Sequence, residues 1–228
     1  MNKIEMIANR LNTARSPLIL TGAGVSTHLG IPDFRSDDDG LYSGTSSMMD
    51  WMTEDYRRDY PQEFQQKLNA VVSSIKERAP RYDEIVDHKG AEPVHEAIDE
   101  IARRCNAAIV TQNVDALHRI IAERSKSAVR IIEAHGSSAD YDKIVLFGSQ
   151  MPLESIALIR EVTAGKYDYC LVLGSSLNVF PIGGIPDMIR NYDIVVKEKS
   201  SVPSKLQSKV LETDVAGFVR ELLPLIKK

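Results

Sequence analysis

The chain has 228 residues, a length that allows one large domain or one domain with a smaller insert. Hydrophobic residues make up 43% and charged residues 26% of the chain, and the formal net charge is −4, so nothing favours a nucleic-acid surface or an anionic membrane partner. No window approaches the ~20 consecutive apolar residues of a membrane span, and the N-terminus lacks a signal-peptide core. We therefore expect a cytoplasmic protein with no nucleic-acid and no membrane partner.

Apolar runs rich in β-branched residues recur along the chain and predict strands. These runs span residues 17–20, 108–111, 129–133, 144–147, 169–173, 193–196 and 209–211. Between them, segments 92–104 and 155–164 carry apolar residues at helical spacing. The alternation predicts an α/β fold of the Rossmann-like, doubly wound type, with a mostly parallel sheet and helices on both faces. A ligand of such a sheet lies at the carboxyl ends of the strands, near the switch in strand order.

Residues 37–90 interrupt this alternation, because they are polar and lack strand-like runs. Segments 54–60 and 61–78 are predicted as helices, and the second has an apolar stripe that would face inward. The stripe consists of Phe64, Leu68, Val71, Val72 and Ile75. We expect a Rossmann-like domain of residues 1–36 and 91–228 that carries a small helical insert of residues 37–90.

The stretch after the first predicted strand, Thr21–Arg35, reads TGAGVSTHLGIPDFR. Gly22 and Gly24 can bring backbone N–H groups close to a phosphate, since no side chain blocks the approach. A dinucleotide-binding fingerprint would need a third glycine, and Ser26 stands at that position. Taken alone, this Gly-x-Gly is equally consistent with a tight turn.

Four further strings sit at the ends of predicted strands, where a site is expected. They are Thr111–His118, Glu133–Gly136, Ile144–Gly148 and Gly174–Val179. The amides and the carboxylate of the first string can clasp a carboxamide, which both donates and accepts hydrogen bonds. The histidine of the second string could be catalytic or structural. The small residues of the fourth suit phosphate or ribose contacts, although a simple serine N-cap stays open.

Together, these strings resemble the motifs of the sirtuins, the NAD-consuming protein deacylases. The similarity covers Thr21–Arg35, the four strings above in the family's order, and Glu212–Val215 near the end of the chain. The resemblance implies an enzyme that uses NAD as cofactor and an acylated-lysine protein or peptide as substrate. In the family reaction nicotinamide leaves, the acyl group moves to the ribose, and O-acyl-ADP-ribose is released.

The resemblance also implies roles for individual residues. His135 would be the general base on a ribose hydroxyl, because a pKa near 6.5 suits that task, while Asn113 and Asp115 would act at the nicotinamide and the inner ribose. Val145, Leu146, Phe147 and Gly148 would offer a strand edge to the acyl-lysine peptide. The pyrophosphate and ribose of the cofactor would lie against Gly22, Ala23 and Gly24, and a loop with Asp33, Phe34 and Arg35 would close over NAD. Nicotinamide would be surrounded by Gln112, Asn113 and Asp115. Phosphate and the outer ribose would be held by Gly174, Ser175 and Ser176, and adenine would lie beside Asp214 and Val215.

The chain departs from the family pattern between Gly136 and Ile144. Sirtuins normally carry a zinc-binding module with two CxxC pairs there, and here the seven residues 137–143 fill the gap without a cysteine. Cys105 and Cys170 lie elsewhere and are expected to be buried thiols. We therefore expect no bound metal. Because the module normally walls one side of the peptide cleft, its loss makes a peptide substrate less secure.

Three functions stay open at this point. The strand predicted at Val145–Gly148 favours an NAD-dependent deacylase. The missing zinc module favours a sirtuin-like ADP-ribosyltransferase or NAD glycohydrolase, which would cleave the same glycosidic bond. A non-catalytic NAD-binding regulatory module is the third possibility, and the presence of both Asn113 and His135 argues against it.

Overall fold

The computed structural model describes residues 1–31, 48–78, 94–137 and 144–227. Its strands are β1 Pro17–Thr21, β2 Ala108–Thr111, β3 Ile131–Glu133, β4 Tyr169–Leu173, β5 Tyr192–Val196 and β6 Val210–Glu212. They form a six-stranded sheet in the order β3-β2-β1-β4-β5-β6, and every neighbouring pair is parallel. The order reverses direction between β1 and β4, as in a doubly wound Rossmann-like fold, so the predicted fold class is confirmed.

The helices of the described residues are α1 Lys3–Thr13, α2 Met48–Trp51, α3 Glu54–Asp59, α4 Pro61–Arg78, α5 Val94–Cys105, α6 Leu117–Ser125, α7 Leu153–Thr163, α8 Ile185–Ile189 and α9 Val215–Leu222. The four helical segments predicted from periodicity correspond to α3, α4, α5 and α7, with ends that differ by two residues or fewer. Among these described helices, none has the length and apolar character needed to cross a bilayer.

Two apolar clusters cover the two faces of the sheet. Strands β1, β2, β4 and β5 are buried at every position, which explains why they read as continuous apolar runs rather than as alternating ones. On one face, Ile19, Ile109 and Leu171 pack against α1, α5 and α9. On the other, Leu18, Leu20 and Val172 pack against α7 and α8.

A third apolar cluster joins α2 and α4 to the rest of the molecule. Phe64, Leu68, Val71 and Val72 are buried, as the apolar stripe predicts, and they share the cluster with Leu117 and Ile121 of α6 and with Ile144 and Leu146. The side chain of Ile75 lies outside the described residues. The predicted domain boundaries, after residue 36 and residue 90, also fall outside them, so the division into two domains stays a prediction.

The prediction of a strand at residues 144–147 is wrong. Phe147 makes an isolated parallel bridge with Thr53, in which its N–H donates to the Met52 carbonyl and its own carbonyl accepts from Glu54 N–H. The apolar character of the segment has another cause, because Ile144 and Leu146 are buried against the helices rather than within a sheet. The run beginning at residue 129 is likewise shorter as a strand, since β3 starts at Ile131.

Candidate active site

The turn after β1 and the turn after β4 touch each other where the strand order reverses. Gly22 N–H donates to the Leu173 carbonyl over 3.0 Å, and Gly24 N–H donates to the Gly174 carbonyl over 2.9 Å. A Cβ atom on Gly22 would lie 2.8 Å from the backbone of Gly174 and Ser175, and one on Gly24 would lie 2.8 Å from Gly174 Cα. Side chains do not fit at such distances, so the contact between the turns requires glycine at both positions.

Because of this contact, the N–H groups of Gly22 and Gly24 are not available to a phosphate at the first turn. The N–H groups of Gly22 and Gly24 already have carbonyl acceptors, and those of Val25 and Ser26 donate to carbonyls within the same turn. The N–H of Ala23 meets no backbone acceptor in the described part of the chain. The predicted phosphate contact therefore rests on Ala23 and on the side-chain-free surface of the two turns.

Three buried side chains form a hydrogen-bonded group beside these turns. Ser26 Oγ donates to Asp115 Oδ2 over 2.7 Å, and Asn113 Nδ2 lies 3.1 Å from Ser26 Oγ and 3.2 Å from Asp115 Oδ2. Asp115 Oδ1 accepts from Leu117 N–H, which fixes the carboxylate at the start of α6. Asn113 Oδ1 accepts no hydrogen bond from the described residues. The structure thus brings together the predicted Asn113 and Asp115 and leaves one amide oxygen for a ligand.

Two histidines pack behind this group and tie its parts together. Because Ser26 gives its proton to Asp115, Ser26 Oγ accepts from His95 Nε2, which lies 3.3 Å away. His118 Nε2 lies 3.0 Å from the hydroxyl of Thr21 at the end of β1. The His95 and His118 ring centroids are 4.9 Å apart, and both rings are buried. Burial lowers the pKa of each to about 3, so both are neutral at pH 7.

His135 lies at the end of β3, next to the loop that carries Asn113. Its Nδ1 is 3.2 Å from the Gln112 carbonyl, which can only accept, so Nδ1 carries the proton and Nε2 keeps its lone pair. Burial lowers the pKa of His135, and the bond to the Gln112 carbonyl partly opposes that shift. The ring is therefore neutral at pH 7, in the tautomer that can take a proton at Nε2.

Gln112 links the end of β2 to the turn after β4. Its Oε1 accepts from Ser175 Oγ over 2.5 Å, and its Nε2 donates to the Val179 carbonyl over 3.3 Å. Ser175 Oγ also accepts from Leu177 N–H, so the serine stabilises a turn and does not cap a helix. The predicted cofactor residues Gln112, Gly174 and Ser175 thus form one connected wall, next to the half-buried Ser176.

The other predicted site residues have mixed positions. Asp214 is the exposed N-cap of α9, where its side chain accepts from Gly217 N–H over 2.8 Å, and Val215 is buried in the core. Both therefore have structural roles in the described molecule, and their predicted contact with adenine stays a prediction. Asp33, Phe34 and Arg35 lie outside the described residues.

Comparison with known proteins identifies the family. The Sir2 family model matches residues 22–143, which is more than half of the chain. This chain belongs to the Sir2 family. Among its relatives, an "NAD-dependent protein deacylase" of Ralstonia nicotianae is 30% identical over 84% of this chain and 84% of its own. An "NAD-dependent protein deacetylase 2" of Caldanaerobacter subterraneus is 23% identical over 99% of this chain and 97% of its own.

Solved sirtuin structures share the fold of this chain. A Sir2 homologue in complex with NAD is 22% identical and superposes with a TM-score of 0.72, over 99% of this chain and 94% of its own. A Sir2 enzyme bound to a propionylated peptide is also 22% identical, with a TM-score of 0.71 over 98% of both chains. At this level of identity the likeness shows a common fold.

The sequence analysis of this sirtuin missed Ser26, His95 and His118 as members of the polar group. His95 stands beside Val94 in the apolar stripe of α5, and a histidine on such a face usually indicates a core position. The available signal was the position of His95 on α5, the helix that precedes β2 and the loop with Gln112, Asn113 and Asp115. This helix packs against α6, which follows the same loop. Ser26 stands at the third-glycine position of the fingerprint. Its hydroxyl donates a hydrogen bond to Asp115, a contact that glycine could not make.

The cysteines of this sirtuin are free thiols. Cys170 is fully buried in β4, and burial raises the pKa of its thiol. Cys105 is only half-buried, which corrects the expectation for that residue, and burial raises its pKa to about 11. Across residues 1–31, 48–78, 94–137 and 144–227, no group of three or more His, Cys, Asp or Glu side chains has an arrangement that could hold a metal ion.

Proposed function

We propose that this sirtuin is an NAD-dependent protein-lysine deacylase that releases nicotinamide and O-acyl-ADP-ribose. The observation that carries the proposal is the bond from His135 Nδ1 to the Gln112 carbonyl. Gln112 directly precedes the buried Asn113, so the bond holds a neutral histidine close to that amide. The two relatives described above are named as an NAD-dependent deacylase and an NAD-dependent deacetylase. An amide for the carboxamide end of a cofactor and a base for a hydroxyl thus lie on adjacent strand ends.

The residues at the carboxyl edge fit NAD by their chemistry. The turns at Gly22–Gly24 and Gly174–Ser175 offer a surface without large side chains, which suits a pyrophosphate. Asn113 Oδ1 has no donor from the described residues and can accept from the carboxamide of nicotinamide. When bound, NAD supplies the glycosidic bond that is cleaved and the ribose that accepts the acyl group.

The protein groups would then act in a defined order. Asn113 orients the nicotinamide end, and Asp115 and Ser26 hold Asn113 by accepting from its NH₂ group. His135 Nε2 then takes a proton from a hydroxyl of the bound ribose and makes that oxygen a better nucleophile. Because the pKa of His135 is lowered by burial, the histidine stays competent as a base at and somewhat below pH 7.

The acylated peptide is proposed to bind along residues 145–148, on one side of that segment. The bridge with Thr53 occupies the N–H and carbonyl of Phe147, and the Leu146 carbonyl accepts from Ser149 N–H. The N–H groups of Leu146 and Gly148 meet no backbone acceptor in the described part of the chain. An extended substrate would therefore pair with these two groups, on the side away from Thr53.

We also propose that the protein is cytoplasmic and free of zinc, and that residues 37–90 form a separate insert. Two unpaired thiols support a reducing compartment, and the cysteine-free connection of residues 137–143 supports the absence of zinc. Metal analysis of the purified protein is expected to find no stoichiometric zinc. One tightly bound zinc per chain would show that the site is built differently.

Product analysis tests the proposed activity. The protein is incubated with NAD, with and without an acetyl-lysine peptide, and nicotinamide, ADP-ribose and O-acetyl-ADP-ribose are separated. We expect nicotinamide release that depends on the peptide and is matched by O-acetyl-ADP-ribose. Equal nicotinamide release without the peptide, with ADP-ribose as the product, would replace deacylation by NAD hydrolysis.

A further inference from the structure

Arg119 of α6 contacts both sides of the turn that carries His135. Its Nη1 lies 3.4 Å from Glu133 Oε2, and its Nη2 donates to Ser137 Oγ over 3.0 Å. Glu133 comes two residues before His135, and Ser137 comes two residues after it. One planar guanidinium thus joins the entry and the exit of the turn, a geometry that Arg supports through its fixed fork of donors.

The turn itself is held by few backbone bonds. Gly136 has a φ of +81° and donates its N–H to the Glu133 carbonyl over 3.1 Å. Val145 N–H donates to the His135 carbonyl over 2.9 Å. Ser137 is 4% exposed, and its hydroxyl lowers the pKa of the Glu133 carboxyl. Arg119 therefore bridges Glu133 and Ser137 at the base of the turn.

The charge of Arg119 matters as much as its shape. Burial raises the pKa of Glu133, and the nearby Asp115 and Glu154 raise it further, whereas Arg119 and Ser137 lower it. Without the guanidinium, a half-buried carboxylate would face two like charges, and the turn would be expected to shift to give it more water.

We propose that Arg119 is a positioning residue that fixes the ring of His135 by joining Glu133 to Ser137. The inference rests on the proposed function for the catalytic consequence, but the position of the ring can be measured without any reaction. A loosened turn would weaken the bond from His135 Nδ1 to the Gln112 carbonyl and let water reach the ring. The first chemical event, at Asn113, would not be affected.

Arg119→Met tests the inference, because methionine keeps a long stem and loses both contacts. Arg124→Met is the matched control, since Arg124 lies on the same helix, has similar exposure and pairs with Glu96 of α5. We expect acyl transfer by Arg119→Met to fall roughly ten- to 100-fold, the range for a small misplacement of a reacting group. Nicotinamide exchange into NAD in the presence of acyl peptide should stay within about twofold of the wild-type rate. Arg119→Lys keeps the charge but cannot bridge both groups, so it should lie between the two.

NMR titration of the His135 ring gives the readout that does not depend on activity. In Arg119→Met the pKa of His135 is expected to rise towards its ordinary value of about 6.5, while Arg124→Met leaves it unchanged. If Arg119→Met does not fold, Ser137→Ala removes one contact and should shift the titration in the same direction by less. An unchanged His135 titration overturns the inference, whatever reaction the wild type catalyses. Equal losses of nicotinamide exchange and acyl transfer would also overturn it, because they would indicate general damage.

Discussion

The two edges of the sheet each hold a group of buried polar side chains. The groups differ in whether their polar atoms all find hydrogen-bond partners within the protein. At the amino edge, Asp193 Oδ2 accepts from Arg10 Nη1 over 2.5 Å and from Tyr169 OH over 2.8 Å. At the carboxyl edge, Asn113 Oδ1 and the buried His118 Nδ1 have no hydrogen-bond partner among the described residues. We propose that the open Asn113 Oδ1 marks the place of a ligand, because an amide oxygen without a protein donor can accept a hydrogen bond from one.

The amino-edge group connects elements that would otherwise be held by apolar contacts. Arg10 lies on α1, Tyr169 begins β4 and Asp193 lies in β5. The buried hydroxyl of Tyr169 has a raised pKa, caused mainly by burial and further by the nearby Asp193 carboxylate. The group therefore joins α1 to β4 and β5, whereas the carboxyl-edge group is the one that we propose for binding and proton transfer.

The largest effect is expected from His135→Ala. Loss of a general base lowers the rate of its step by roughly 10²-fold or more, so acyl transfer should fall by that amount. Binding of NAD should persist, because the base acts after the cofactor is seated. Single-turnover kinetics together with calorimetric titration of NAD measures both. Acyl transfer at the wild-type rate would assign His135 a structural role.

Gly174→Ala should be the next most damaging change, with Gly165→Ala as its control. Both glycines have positive φ, +64° and +75°. A Cβ on Gly174 would lie 2.7 Å from Gly24, whereas one on Gly165 would meet nothing within 4 Å. Gly165→Ala should cost only backbone strain, on the order of 1–2 kcal/mol, and leave NAD binding intact.

Gly174→Ala should cost more than this in urea denaturation, because its new methyl group also pushes the two turns apart. It should weaken NAD binding in the same calorimetric titration. Equal destabilisation of the two variants, with NAD affinity retained in both, would show that the contact between the turns does not shape the cofactor surface.

Asp193→Ala tests the other side of the comparison, the polar group at the amino edge. The variant leaves the buried Tyr169 hydroxyl without an acceptor, and Arg10, whose side chain is 34% exposed, can regain water. We expect a loss of about 1–3 kcal/mol in the free energy of unfolding, the usual cost of an unsatisfied buried group. Nicotinamide release per folded molecule should not change. A selective loss of activity in a fully folded variant would place function at the amino edge as well.

The sequence predicted the fold well because its strands are buried on both faces. Leu18, Ile19 and Leu20 are apolar in succession, and such a run in an alternating chain favours a parallel sheet. The same rule misled at Ile144–Phe147, where Ile144 and Leu146 are buried against helices and Phe147 is exposed and bridges to Thr53. A short apolar run does not reveal what covers it, and this information lies in contacts between distant segments.

The candidate site could be predicted only in part, for a related reason. Asn113, Asp115 and His135 stand at strand ends, where local spacing and motif resemblance point to them. His95 and His118 stand on apolar helix faces, and their role depends on meeting Ser26 and Thr21 across the fold. Arg119 reads as an ordinary surface residue of a helix, and its two contacts become visible only in three dimensions.

A further expected effect is the pH dependence of stability below neutrality. His95 and His118 have pKa values of about 3 in the folded protein and about 6.5 when unfolded. The unfolded chain therefore binds more protons below pH 6.5, so stability is complete above that pH and declines as the pH falls from 6.5 towards 3. Urea midpoints should fall from pH 7 to pH 5.5, and less steeply in His118→Gln. A wild-type midpoint that does not change over this range would show that these histidines are not buried as neutral groups.

The most direct test of the account is the rate of nicotinamide release by Asn113→Ala. Asn113 is proposed to act at the nicotinamide end before any acyl transfer, and its Oδ1 is the open acceptor that distinguishes the carboxyl edge. The account predicts that nicotinamide release and deacylation fall together in Asn113→Ala, whereas His135→Ala loses acyl transfer and retains NAD binding. Normal release of nicotinamide by a folded Asn113→Ala would contradict the account.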